Sequence, residues 1–252
     1  MTGVLAGAAS RARGRLVDSP DSYGARRRAA RWELLRAYFP DIEALRVLDL
    51  GGTAESWRRA PVRPAHVTVL NLFEPGESDD DWLLPVTGDA VHAREALAGA
   101  GVDTGFDLVY SNSLLEHVGG HAQRRGLADE VRALAPRHWV QTPYRYFPVE
   151  PHWLFPGLQF LPLAARSKVA AVWPLAHSRP ASPAEAMSEV QWTELVGIAE
   201  LRAYFPGSLV VHERLAGLTK SIVAVRAGAT AVDPGAAGAG TERVDAPTGG
   251  QP

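Results

Sequence analysis

The chain of 252 residues is long enough for one large α/β domain with tails. Its 46% hydrophobic and 21% charged residues suit a globular protein with a sizeable core, and a net charge of −2 gives no overall case for nucleic acid or an anionic membrane as partner. The absence of cysteine excludes disulfides and thiolate metal sites.

Near the N-terminus a short apolar stretch, Val4 to Ala9, precedes Arg11, Arg13 and Arg15. A secretory signal has the opposite order, and the sequence holds no apolar run of about 18 residues, so a cytoplasmic protein that does not enter the membrane is expected. Residues 1–21 are expected to be disordered. So is 227–252, a stretch of Ala, Gly, Thr and Pro without Leu, Ile or aromatic residues that buries too little to offset its ordering entropy. The folded domain is expected over 22–226.

Ser22 to Phe39 reads as a helix with Trp32, Leu35 and Phe39 on one face, and Pro40 ends it. Arg26, Arg27 and Arg28 fall on the other face. They read as a solvated face, or as a source of one cation for a ligand's carboxylate if the helix covers a pocket. Strands are then predicted at Arg46–Leu50, His66–Leu72, Leu84–Thr87, Phe106–Tyr110 and Arg137–Gln141, with a helix from His121 to Ala135 before the last of them. Apolar strands separated by helices predict a parallel sheet covered on both faces. From Pro143 to Met187 the rhythm breaks into a Pro- and aromatic-rich insertion, of the kind that serves as a lid or binding loop, with a possible helix at Leu163–Val172. Ser188 and Gln191 fit the capping box of a further helix carrying Trp192, Leu195, Val196 and Ala199. Ser208–Glu213 and Thr219–Val225 flank Ala216-Gly217 as a terminal antiparallel hairpin.

The chemistry concentrates at the predicted strand ends. Val47-Leu-Asp-Leu-Gly-Gly52 runs an apolar strand into two glycines, which let the backbone turn sharply and approach a ligand. A helix N-terminus after them would offer free N–H groups to an anionic group. A plain tight turn is the bland alternative, and for Asp49 so is a buried carboxylate capping nearby N–H groups. Asn71, at the tip of the second strand, occupies the position that faces ribose hydroxyls in nucleotide folds.

In order, RVLDLGGT, VLNL, TGDA and FDLVYSNSLLEHV resemble the motifs of class I S-adenosylmethionine-dependent methyltransferases, most closely the methyltransferase type 11 branch, over about Arg46 to Pro143. The resemblance implies a Rossmann-like, doubly wound, seven-stranded sheet, mostly parallel, ending in an antiparallel hairpin. It implies S-adenosylmethionine as cofactor, with Asp49, Gly51, Gly52 and Thr53 around its methionine part and Asn71 and Leu72 at its ribose. Gly88, Asp89 and Ala90 would lie at the adenine, and Ser111, Asn112 and Ser113 near the methyl group. Two positions depart from the pattern: Thr53 stands where a second glycine is common, and Asn71 where an acidic residue is common.

The sulfonium is already an activated methyl donor, so the protein has mainly to align donor and acceptor. A hydroxyl acceptor also benefits from a base. His117, after the fourth strand, and His152, in the Pro-aromatic stretch after the fifth, are the candidates. Each also has a structural alternative: His117, with Glu116, as a brace of the next helix, and the run around His152 as packing. A metal site from His117, His152 and Glu150 has no diagnostic spacing, and no metal is expected. The expected activity is methyl transfer to an O or N atom of a small molecule. The alternatives are a non-catalytic methyltransferase-like binding module and a nicotinamide-dependent oxidoreductase, the latter disfavoured because Thr53 breaks the G-x-G-x-x-G spacing.

Overall fold

A computed structural model describes residues 23–176 and 180–228, with side chains from Ala29 onward apart from 177–179. The segment 1–21, residues 229–252 of the expected tail, and the side chains of Arg26, Arg27 and Arg28 lie outside the described residues.

The elements follow in chain order as α1 (Tyr23–Tyr38), β1 (Arg46–Leu50), α2 (Ala54–Arg58), β2 (His66–Asn71), β3 (Leu83–Thr87), α3 (Ala93–Gly99), β4 (Leu108–Asn112), α4 (His121–Leu134) and β5 (Arg137–Pro143). After β5 come a two-residue pair of strands, β6 (Val149–Glu150) and β7 (Phe155–Pro156), then α5 (Leu163–Val172), α6 (Pro183–Trp192) and α7 (Ile198–Tyr204). The chain closes with β8 (Leu209–Leu215) and β9 (Leu218–Arg226). One seven-stranded sheet has the order β3-β2-β1-β4-β5-β9-β8. The pairs from β3 through β5 are parallel, and β9 runs antiparallel to both neighbours. The order reverses beside β1, between β2 and β4, so the C-terminal ends of β1 and β4 open a crevice where a ligand can sit.

Alternation along the strands divides the core in two. Val47, Val67, Val69 and Tyr110 pack with Leu35, Phe39 and Trp57 on one face, while Leu48, Leu50, Leu70 and Val109 pack with Leu97, Leu127 and Val131 on the other. Asp49, two residues after Val47, therefore points to the face covered by α1 and α2, and it is buried there. Gly88 serves this packing: a Cβ at that position would lie 2.6 Å from Ala96 Cβ and 2.9 Å from Leu70 Cδ1.

The largest boundary changes are in the fourth strand and in the helix expected from Ser188. The fourth strand begins at Leu108, not Phe106, which places Ser111 and Asn112 inside it. The helix expected from Ser188 begins at Pro183, where Ser182 caps it by accepting from the Glu185 N–H, and it ends at Trp192. Ser188 and Gln191 thus lie within α6, and Leu195 and Val196 follow it as a connector, with Val196 bridged to Tyr144. Serine directly before proline is the stronger start signal, because proline at the first helical position has no N–H to leave unsatisfied. The insertion is also more ordered than a loop: α5, α6 and the β6–β7 pair enclose a core of Trp153, Leu158, Ala170, Ala186 and Val190.

Replacing Gly88 with alanine should lower stability by about 1–3 kcal/mol through overpacking. Gly99→Ala, at the end of α3 with nothing within 4 Å of the added Cβ, should be neutral or stabilising by about 0.5 kcal/mol. Urea unfolding of the two variants checks the contrast, and equal midpoints would remove the packing account.

Candidate active site

β1 delivers the chain into Gly51, whose φ of +88° is open to glycine and strained for other residues. Gly52 is required for a different reason. A Cβ there would lie 1.8 Å from Asp49 Oδ2, because the aspartate side chain folds into the space that a side chain at 52 would fill. Trp57 Nε1 donates to that same Oδ2 at 2.6 Å, and Asp49 Oδ1 has no hydrogen-bond partner. Burial pushes the Asp49 carboxyl up to about 7, against the smaller opposing effect of the Trp57 bond.

Thr53 departs from glycine because it caps α2. Its Oγ1 accepts from the Ser56 N–H, and Ser56 Oγ faces the Thr53 N–H in return. Asn71 braces the same loop. Its Nδ2 donates to the carbonyls of Gly51 and Gly52, and its Oδ1 accepts from the Phe73 N–H. The amide expected to meet a ribose is committed to holding the glycine turn in place. Leu72, next along, is exposed.

Asp49, Gly52, Thr53 and Asn112 line one cleft of about 620 Å³, together with Arg31 and Trp32 of α1, Ser56, Trp57 and Tyr110. Trp32 stacks on Tyr110, with 5.7 Å between ring centroids, and Trp57 meets both rings edge-on. Arg31 projects from α1 into this aromatic wall. Its Nε and Nη2 donate to the two carboxylate oxygens of Glu213, each at 2.7 Å, and its Nη1 donates to Asn112 Oδ1 at 2.6 Å. Two cations line the cleft, Arg31 from α1 and Arg59 just after α2, and the sequence reading singled out neither; the side chains of Arg26 to Arg28 lie outside the described residues. The signal was present: Arg31 lies four residues before Leu35, on the buried stripe of α1.

The remaining expected cofactor residues divide. Gly88, Asp89 and Ala90 follow β3 outside the lining of this cleft; Asp89 is exposed and accepts from the Val91 N–H as a helix cap. Ser111 is fully buried and donates to the Leu50 carbonyl, which ties β4 to β1. Ser113, at φ +56°, turns the chain out of β4 and donates through Oγ to Gln141 Oε1.

Beyond Ser113 the structure brings both candidate histidines together. His117 Nε2 and His152 Nε2 are 3.1 Å apart, with the rings nearly perpendicular at 85°. Glu150 orients His152 by pairing with its Nδ1 at 2.7 Å, and its other oxygen accepts from the His152 and Trp153 N–H groups. Thr193 Oγ1 faces His117 Nδ1 at 3.5 Å. Glu116 is buried beside the pair. Thr142 Oγ1 donates to its Oε2, while its Oε1 has no hydrogen-bond partner. Burial raises the Glu116 carboxyl above the usual range, with the neighbouring His152 pulling the other way. Glu150 and Thr193 also line a cavity of about 180 Å³ beneath the insertion. The sequence places His117 after the fourth strand and His152 after the fifth, and the fold brings the two imidazoles into contact.

The sheet order and the glycine turn after β1 are those of the class I methyltransferase fold implied by the motifs. No family model and no curated protein matches the chain. Among solved structures it is similar to an S-adenosylmethionine-dependent methyltransferase from Mesorhizobium loti, at 24% identity and a TM-score of 0.35 over 48% of this chain, which spans 56% of that one. It is also similar to the plantazolicin methyltransferase BamL, in complex with a triazolic desmethylPZN analog and SAH, at 8% identity and a TM-score of 0.49 over 88% of this chain and 91% of that one. A SAM-dependent methyltransferase from Anabaena variabilis shares 14% identity, at a TM-score of 0.46 over 79% and 81% of the two chains. None of the chemistry derived from the site rests on these likenesses.

The raised Asp49 carboxyl has a consequence for stability. Folding raises its pKa from 3.8 to about 7, so its neutral form is favoured in the native state. The stability it permits is present at low pH and is lost as pH rises from 3.8 through 7, beyond which the cost is constant. Between pH 5 and pH 8 wild type should lose about 2–3 kcal/mol relative to Asp49→Asn. Denaturant melts of both proteins across that range check it, and parallel curves would contradict the assignment.

Proposed function

We propose that the chain is an S-adenosylmethionine-dependent methyltransferase that transfers a methyl group to an oxygen or nitrogen of a small molecule. The observation that carries this reading is the cleft at the C-terminal ends of β1 and β4, with the paired imidazoles a few residues on from β4.

In this reading the methionine part of S-adenosylmethionine lies in the cleft over Gly51, Gly52 and Thr53. Asp49 would pair with its ammonium group, which would favour the charged form of that carboxyl. Asp89, exposed at the end of β3, would accept from the adenine amine, with the Ala90 N–H near the ring. The bound cofactor supplies a methyl group on a positively charged sulfur. The residues of this chain align the acceptor and take up its proton. Glu150 fixes the His152 ring by accepting at Nδ1, so Nε2 is the nitrogen that faces the reaction. His152 and His117 share one proton between facing nitrogens, and the acceptor's proton enters that pair as the methyl group moves.

A second reading, a non-catalytic binding module, draws on Asn71, whose amide is spent on the glycine loop instead of a ribose. The two readings separate on a pair of variants. Asp89→Ala should weaken S-adenosylhomocysteine binding by roughly 1–3 kcal/mol in calorimetric titration, the range for losing a hydrogen-bond partner. His152→Ala should keep that affinity and lose methyl transfer to acceptors in a cell extract. An Asp89→Ala protein that is folded and binds as wild type removes the adenine assignment. Undiminished turnover in His152→Ala removes the catalytic role of the pair, and tight cofactor binding by a wild type that transfers no methyl group favours the module.

A further inference from the structure

The geometry points to a divalent transition-metal site formed by His117 Nε2, His152 Nε2 and the Glu116 carboxylate. These three residues each offer one ligand atom, and the atoms all lie within 4.8 Å of one another. The two nitrogens are 3.1 Å apart. Nitrogens about 2.0–2.1 Å from a shared ion lie about 2.9 Å apart at a right angle and about 3.3 Å apart at the tetrahedral angle, so the pair already has ligand spacing.

Two further observations fit an ion held at that position. The first is an unpartnered acceptor atom. Glu116 Oε1 has no hydrogen-bond partner although the residue is fully buried, and a metal bond would supply that partner. The second is the outer layer of contacts. Glu150 holds His152 at Nδ1, Thr142 holds Glu116 at Oε2, and Thr193 lies 3.5 Å from His117 Nδ1. Each group is thus approached at its far atom, which leaves one nitrogen or oxygen from each turned inward, as in sites whose ligands are oriented from behind. Two imidazoles and one carboxylate select zinc, cobalt or iron over magnesium or calcium, and they leave coordination positions for an acceptor oxygen. With the ion bound, the imidazoles are its ligands, and an acceptor hydroxyl coordinated there would lose its proton to solvent more readily because the ion stabilises the alkoxide. This last step rests on the methyl-transfer reading, in which the same cluster activates the acceptor; binding of the ion does not depend on it.

The probe is Co²⁺, added to full-length protein stripped with EDTA, with no cofactor or acceptor present. One equivalent should bind and give visible d–d absorption. His117→Ala and His152→Ala should each lose the band, and Glu116→Gln should weaken binding at least ten-fold, while His92→Ala, exposed and outside the cluster, should titrate as wild type. Circular dichroism confirms that each variant is folded. Because a buried-site variant can fail to fold, wild type is also measured alone: its melting temperature should rise with added Zn²⁺. No stoichiometric binding by wild type, or binding unchanged in a folded histidine variant, overturns the site. The stripped sample is titrated separately with S-adenosylhomocysteine. Cobalt binding without S-adenosylhomocysteine binding sinks methyl transfer and keeps the metal site; the reverse result does the opposite.

Discussion

The Asp49 carboxyl folded into the space above Gly52 sets the position of almost everything else at the site. A strand-end aspartate facing a covered side of the sheet would be expensive to bury as a free ion. It is accommodated because the glycine leaves room for one oxygen, the Trp57 indole donates to it, and its pKa rises to about 7. Trp57 is held in turn by Trp32 and Tyr110, which bring α1 and β4 to the same point. The glycine turn, the N-terminal helix and the central strands therefore meet at one buried acid, and the cleft is the volume left between them.

A second constraint acts on the other side of Ser113. Two buried carboxylates, Glu116 and Glu150, sit beside the two imidazoles, and one oxygen of Glu116 has no hydrogen-bond partner. The cofactor side has its own balance, in which Arg31 is spent on Glu213 and Asn112. Glu213 belongs to β8, so the terminal strands of the sheet help fix the lining of the cleft. This gives the β8–β9 hairpin a part in the site beyond completing the sheet.

Much of the architecture was legible because its signals are local. The first strand matches its expected limits from Arg46 to Leu50, and the helix within the insertion runs from Leu163 to Val172 as read. Apolar strands ending in glycine or polar loops carry their own punctuation. The fourth strand was misplaced because Phe106 is apolar, although it precedes the ladder. The helix starts at Ser182-Pro183 and not at Ser188, because a serine cap followed by proline at the first helical position outweighs the Ser188 and Gln191 pattern inside the helix. Side-chain roles were less legible where they depend on distant partners. Nothing near Asn71 in the sequence indicates that its amide closes the loop at Gly51 and Gly52, and nothing near His117 points to a residue 35 positions later. Arg31 was readable from its place on the α1 stripe, but three consecutive arginines nearby gave the louder signal.

The central claim is that one ligand spans the two halves of the site, with its charged amino-acid end at Asp49 and its reactive end toward His117 and His152. A crystal structure of the full chain with S-adenosylhomocysteine tests it most directly. The account requires the amino group beside Asp49, the adenine beside Asp89, and the sulfur open toward the imidazole pair. Density for the ligand elsewhere, or a sulfur walled off from His117 and His152, would contradict it.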